Sequence, residues 1–249
     1  MRIVRAIGAG LLLTAAIPVP VYADIAGRYE TVDEDALMKM EMTIEADEHG
    51  NVRTQMARLG AYFLVSDGEF YQVATSEEGP SVIRLADLMA IQKEFAEDFF
   101  ADRLEAWEKP TETFAPMDEE TVGSRVGTGY GIVNDDNPEP QYALLVISDD
   151  PQLAPLGQAL ANSNEAMADS MNGWGAMGTV LRMMNDEMVA VMRKGAPLRM
   201  MSIELTDVSL DPIPAERFEL PAQPLTIEEI RARFMPSVEP PPTLPPRED

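Results

Sequence analysis

A strict two-residue alternation early in the chain is the feature that most restricts the fold. In the stretch MKMEMTIEA, four apolar residues alternate with charged or polar ones: Met38, Met40, Met42 and Ile44. Successive side chains of a β-strand point to opposite faces of a sheet, so this spacing predicts a strand with one buried face. Further on, Asp67-Gly68 separates two runs of aromatic and β-branched residues. Asp-Gly supplies the positive φ angles of a type I′ hairpin turn, and together these signals predict an antiparallel meander of about four strands.

Two later regions have the spacing of helices. Apolar residues recur every three or four positions over residues 84–108 and 152–194, which is typical of amphipathic helices. The motif NGWGAMG interrupts the second region and Gly195 ends it. A second strand-rich block lies between the two regions, and APLRMMSIELTDVSL predicts one final strand. This order predicts an α+β fold, in which a curved antiparallel sheet, an open half-barrel, has helices covering one face.

The two ends of the chain differ from the single domain predicted over residues 24–225. Residues 1–23 combine two arginines, a short apolar run and a small-residue site, which predicts a cleaved signal peptide and a periplasmic or secreted protein. No apolar run reaches the length of a membrane span, so we expect no transmembrane segment. A capping box formed by Thr226 and Glu229 predicts a short helix over residues 226–235. The proline-rich residues 236–249 are expected to form a disordered tail.

Charge and composition exclude several classes of function. The chain has 43 acidic and 19 basic residues, so it lacks the cationic surface that nucleic-acid binding requires. It has no cysteine and one histidine, His49, which excludes the usual closed zinc site and leaves a catalytic triad dependent on a single turn residue. The glycines of GTGYG lack the spacing of a dinucleotide-binding loop and indicate a twisted or bulged strand. We therefore expect a protein that is not an enzyme and has no catalytic residue, cofactor or metal.

Methionine is the remaining unusual feature, with 17 in the chain. Met184, Met188 and Met192 lie one turn apart on one face of the late helix. Three interpretations are open: core packing, a Cu(I) site built from soft sulfur ligands, or a flexible surface that accepts apolar ligands of varied shape. If the early strand faces this helix across a gap, thioethers line that gap. The candidate ligand cavity then consists of Met38, Met40, Met42, Ile44, Met184, Met188 and Met192.

Three stretches resemble the LolA/LolB-like half-barrel superfamily of periplasmic lipoprotein carriers, and more closely the uncharacterised secreted domains near it. They are MKMEMTIEA, the hairpin YFLVSDGEFYQV and the closing DPIPAERFELP. The resemblance implies a concave apolar sheet face that helices cover and that receives acyl chains. We therefore expect a carrier-like protein that binds a lipid or another apolar ligand in a Met-rich cavity. The alternative is an envelope protein whose proline-rich tail docks on a protein partner.

Overall fold

The structure, a computed structural model, describes residues 24–32, 39–57, 59–104, 111–172 and 175–234. Within its helices, the side chains of residues 95–104, 175–177, 180, 181 and 184 are not described. The predicted signal peptide, the proline-rich tail and Met38 lie outside the described residues.

One antiparallel sheet contains all eleven described strands. They are β1 (Ile25–Thr31), β2 (Glu41–Ala46), β3 (Val52–Met56), β4 (Ala61–Ser66), β5 (Glu69–Ser76), β6 (Gly79–Arg84), β7 (Thr113–Val122), β8 (Arg125–Val133), β9 (Leu145–Ser148), β10 (Ala196–Met200) and β11 (Ile203–Ser209). The helices are α1 (Leu85–Leu104), α2 (Ala154–Ser170), α3 (Gly175–Met192) and α4 (Ile227–Phe234), with a 3-10 helix at Ala215–Phe218. The strand order is β6-β5-β4-β3-β2-β1-β11-β10-β9-β8-β7, and the sheet does not close. The predicted α+β fold with an open antiparallel sheet is confirmed.

The first and last strands meet in the middle of this sheet. Strand β1 pairs with β2 on one side and with β11 on the other, where Ala26 lies opposite Ser209. Tyr29 on β1 is fully buried, and its hydroxyl donates a hydrogen bond of 2.8 Å to the Pro197 carbonyl oxygen on β10. The β1–β11 pair therefore joins two groups of strands, β2–β6 and β7–β10, into one sheet.

Helix α2 packs against the inner face of the sheet, the face on which Ile25 and Ile44 lie. It contacts β1, β2, β3, β5 and β10. Leu156 on α2 lies over Gly27 on β1, where a β-carbon would come within 2.7 Å of Leu156 Cδ2. Buried residues of α2 and α3 and of both groups of strands form one core cluster. Because Gly27 has no side chain, Leu156 can pack closely on β1, and α2 contributes to the same core as the middle strands.

The chain after β11 crosses the opposite, outer face of the sheet. Phe218 in the 3-10 helix is buried, and that helix contacts β3 and β4. The Leu225 amide then donates a hydrogen bond of 2.8 Å to the Val82 carbonyl oxygen, beside a parallel bridge between Val82 and Pro224. This segment therefore lies along the edge strand β6, whose backbone groups would otherwise be available for pairing with another chain.

Helix α4 completes the cover of that edge. The Glu229 amide donates to Thr226 Oγ1 at 3.3 Å and the Thr226 amide donates to Glu229 Oε2 at 2.8 Å, which confirms the predicted capping box. Ile230 is fully buried and forms a second cluster with Ile83 of β6 and Ile91 of α1. Glu229 Oε2 accepts hydrogen bonds from the Thr226 amide and hydroxyl, and these lower the pKa of the exposed Glu229 carboxyl. Helix α4 thus holds α1 and β6 together.

Three strand predictions differ from the structure. The single final strand predicted over APLRMMSIELTDVSL is wrong, because Met201 and Ser202 form a turn between β10 and β11. Met201 takes a φ of 52° without the glycine or asparagine that usually indicates such a turn. Strand β6, which begins at Gly79-Pro80, and strand β1 were not predicted. Asp67 and Gly68 have φ values of 53° and 77°, which confirms the hairpin predicted there.

Candidate functional site

A small apolar cavity lies on the inner side of the sheet, at the end where β2 begins and β3 finishes. Its volume is about 140 Å³ and its lining is almost entirely apolar. The lining residues are Lys39, Met40, Glu41, Met42, Met56, Ala57, Leu59 and Ile203. Helix α2 approaches the other end of these strands, since Gly50 in the β2–β3 turn lies near Asn162. The cavity is therefore at the end of the strands that is farther from α2.

The register of the strands places two thioethers side by side in this cavity. Met42 on β2 lies opposite Met56 on β3 and, on its other side, opposite Tyr29 on β1. Directly opposite residues of an antiparallel pair have their β-carbons about 4.5–5.5 Å apart, so the two methionines are neighbours on the same face. Ile203, at the start of β11, adds a buried branched side chain two strands away. Flexible thioethers and a rigid isoleucine thus enclose the space.

The structure brings together some of the predicted cavity residues and separates the others. Met40 and Met42 line the cavity, and Met40 lies just before β2 with 38% of its surface exposed. Ile44, two residues after Met42 on β2, is fully buried in the main core. Met192 on α3 is only 3% exposed in that core, and Met188 packs against it. Met188 and Met192 of α3 therefore pack in or against the core, whereas Met40, Met42 and Met56 line the cavity.

Two of the predicted residues lie outside this description. They are Met38 and, as a side chain, Met184. The residues that sequence reasoning missed are Met56, Ala57, Leu59 and Ile203. Met56 had a usable signal, because the polar segment DEHGN is typical of a turn and the following VRTQMARL has the position of a partner to the alternating strand. Counting the register from that turn would have placed Met56 opposite Met42, whereas Ile203 could not be assigned without knowing that β11 pairs with β1.

A wider groove of about 780 Å³ lies at the opposite end of the sheet. It includes Asp24, Asp47 and the only histidine, His49. His49 is an exposed turn residue, as predicted, with 74% of its side chain accessible. Both carboxylates already accept hydrogen bonds from backbone amides: Asp24 from Glu48 and Ile213, and Asp47 from His49 and Asn51. Asp47 therefore organises its own turn, and Asp24 connects that turn to the segment after β11.

Arg53 and Arg217 on the outer face are engaged in structural contacts. The guanidinium of Arg53 lies 3.9 Å from the centre of the Tyr62 ring, and Arg217 binds the neighbouring Glu45. Burial, and then repulsion from Arg217, lowers the pKa of Arg53 below its ordinary value. In the part of the chain that the structure describes, no group of three His, Asp or Glu side chains is placed to hold a metal ion. The apolar cavity is therefore the candidate functional site.

Comparisons of the chain with protein-family models, with curated proteins and with solved structures found no match. The resemblance to LolA/LolB-like carriers therefore stays an inference from short sequence motifs. Among the described helices, none is both long and apolar enough to cross a membrane.

Proposed function

We propose that this protein is a non-enzymatic, periplasmic or secreted binding protein that holds an acyl chain, or a ligand of similar apolarity, against the inner face of its sheet. One observation carries the proposal: the almost purely apolar cavity beside Met42 and Met56. Partly exposed Met40 and exposed Leu59 border it, so the cavity lies beside side chains that solvent reaches.

The size of the cavity limits what it can hold. A dry cavity of about 150 Å³ lined by apolar side chains accepts a molecule of the size of benzene. The space of about 140 Å³ beside Met42 therefore fits the end of an acyl chain, and the rest of the chain would extend out of the opening. Each methylene that leaves water contributes about 0.8 kcal/mol to binding. A lining with almost no polar atoms adds little opposing cost, because few hydrogen bonds to water must be broken.

We also propose that the sheet is a half-barrel, with a concave face that the helices cover. This arrangement is supported by the contacts of α2 with five strands of the sheet and by those of α1 with α2, β5 and β6. Phe63 on β4 and Phe114 on β7 pack against the core while remaining partly exposed, which leaves apolar surface beside it. The resemblance to lipoprotein carriers implies the same ligand class.

Ligand binding can be tested with protein purified without detergent. Native mass spectrometry of the fresh protein shows whether lipid has been retained, and titration with a fluorescent long-chain fatty acid measures affinity. We expect saturable binding that weakens at least tenfold when Met42→Gln and Met56→Gln are combined, since each amide adds polar groups to an apolar lining. The matched control is Met188→Gln, the same change on α3 away from the cavity. No binding by the wild-type protein, or equal binding by all three proteins, would overturn the proposal.

The alternative function, docking through the proline-rich tail, falls on residues outside the described range and stays a prediction. Deleting residues 236–249 and comparing partner capture with that of the full chain tests it independently of the cavity.

A further inference from the structure

Exposed apolar side chains concentrate at one end of the sheet. Nine large hydrophobic residues are exposed in the described part of the chain, and six of them lie at the end where β2 begins. We call these six the apolar rim: Val32, Met40, Leu59, Ile132, Tyr142 and Met201.

Strand register places these residues at the same end. Glu30 lies opposite Glu41, so the end of β1 is next to the start of β2. Met200 lies opposite Ile203, so the β10–β11 turn projects there too. Tyr130 lies opposite Leu145, which adds the end of β8 and the segment before β9. In the order of the sheet, the rim residues come from the ends of β3, β2, β1, β11, β10, β9 and β8, one after another.

Met201 is exposed in the rim although its backbone conformation does not favour a methionine. It has a φ of 52°, in the left-handed region that asparagine, aspartate and glycine adopt more easily than other residues. The residue is also 68% exposed, so burial does not compensate for the disfavoured backbone. An apolar residue at this turn tip is understandable if the tip enters an apolar phase.

The rim is continuous with the candidate cavity. Met40 and Leu59 belong to the rim and also line the cavity. The apolar surface therefore leads from the strand ends to Met42 and Met56, and the charged residues that share the lining are Lys39 and Glu41. A ligand that leaves a lipid phase at the rim would meet water for only a short distance before reaching the cavity.

The shape of the rim and the net charge of the whole chain select the occupant of the rim. Side chains that project from separate strand ends in a row suit a broad interface, whereas a peptide would need a groove between elements. Tyrosine, represented by Tyr142, is enriched where membrane and water meet. A net charge of −24 repels anionic headgroups. We propose that the apolar rim docks on a bilayer of zwitterionic lipids, and that the apolar ligand enters and leaves the cavity there. The passage of ligand rests on the proposed function, whereas the docking does not.

Flotation of the full chain with phosphatidylcholine vesicles tests the docking. We expect the wild-type protein to float with the vesicles, and Leu59→Asp and Met201→Asp to reduce the partition coefficient at least tenfold. Val126→Asp and Leu210→Asp are matched controls, because these residues are 52% and 56% exposed at the opposite end of the sheet. The controls should stay within twofold of the wild type, and thermal unfolding of every variant verifies that it is folded.

Two other results would overturn the docking: no flotation of the wild-type protein, or equal losses in the rim variants and the controls. Self-association that Leu59→Asp and Met201→Asp abolish, without flotation, would also overturn it and assign the rim to a second copy of the chain. The fluorescent fatty acid separates this inference from the proposed function. A wild-type protein that floats but does not bind the fatty acid would keep the docking and remove the ligand-binding function; one that binds the fatty acid but does not float would do the reverse.

Discussion

Arg217 donates hydrogen bonds to both carboxylate oxygens of Glu45, each 2.6 Å from Nη2, although the two residues are 172 positions apart in the chain. The pair fastens the segment after β11 to the outer face of β2. We expect Arg217→Ala to lower the free energy of unfolding by about 1–2 kcal/mol, since a charge-assisted pair that is only partly exposed is lost. Urea denaturation measures the change. Arg217→Lys should restore less than half, because an ammonium lacks the guanidinium fork, and full restoration by lysine would contradict this account.

Tyr29 should make stability fall at high pH. Burial raises the pKa of its phenol well above the ordinary value of about 10. Above pH 10 the unfolded phenol loses its proton while the folded one keeps it, so the unfolded state binds fewer protons and stability falls by up to about 1.4 kcal/mol per pH unit. Tyr29→Phe should remove this part of the slope between pH 10 and 11. Parallel slopes in the two proteins would show that the phenol is ionised in the folded state.

Tyr29→Phe should also be costly at neutral pH. The Pro197 carbonyl oxygen, which now accepts the phenol hydrogen bond, would remain in the core without that donor. We expect a loss of about 1–2 kcal/mol in the free energy of unfolding, measured by urea denaturation at pH 7.

Gly157 tests how closely α2 approaches the sheet. A β-carbon there would overlap the carbonyl oxygen of Gly195, just before β10. Helix propensity alone predicts that Gly157→Ala stabilises the protein by about 1 kcal/mol. The overlap predicts the opposite, a destabilisation of about 1–3 kcal/mol, because α2 must move away from a packed core. The sign of the change in the urea midpoint decides between the two.

Met201→Asn should separate stability from membrane docking. Asparagine adopts a positive φ more readily than methionine, so we expect a gain of about 1 kcal/mol in the free energy of unfolding. Loss of the exposed thioether should at the same time weaken flotation with phosphatidylcholine vesicles. A variant that is more stable and floats as well as the wild type would remove Met201 from the rim's function.

Sequence predicted the parts of the fold whose signals are local. The alternation through Met42 and Ile44 predicted β2. Asp67-Gly68 predicted the hairpin between β4 and β5, and Thr226 with Glu229 predicted the start of α4. Each signal depends on residues only a few positions apart, where strand or helix geometry fixes which side chains meet.

The rest depends on pairings between distant parts of the chain. The β10–β11 turn was missed because the tertiary structure holds Met201 in a conformation that its residue type does not favour. The segment after β11 was predicted in part, but its path to β6 depends on contacts such as Leu225 with Val82. The candidate cavity was half predicted for the same reason: Met42 follows from alternation, whereas Ile203 enters through the β1–β11 pairing.

The pairing of β1 with β11 also limits how early the sheet can form during synthesis. Ala26 and Ser209 lie opposite each other, so the sheet cannot be completed until nearly all of the described chain has been synthesised. Contacts between residues so far apart in sequence are slow to form, because a long loop must close before its pairing contributes any stability. Strands β1–β6 are synthesised first and can pair with one another early, but β1 lacks its second neighbour until β11 has been synthesised. The chain is therefore expected to remain unfolded longer than a protein of this size built from local contacts, a delay that refolding kinetics would measure directly.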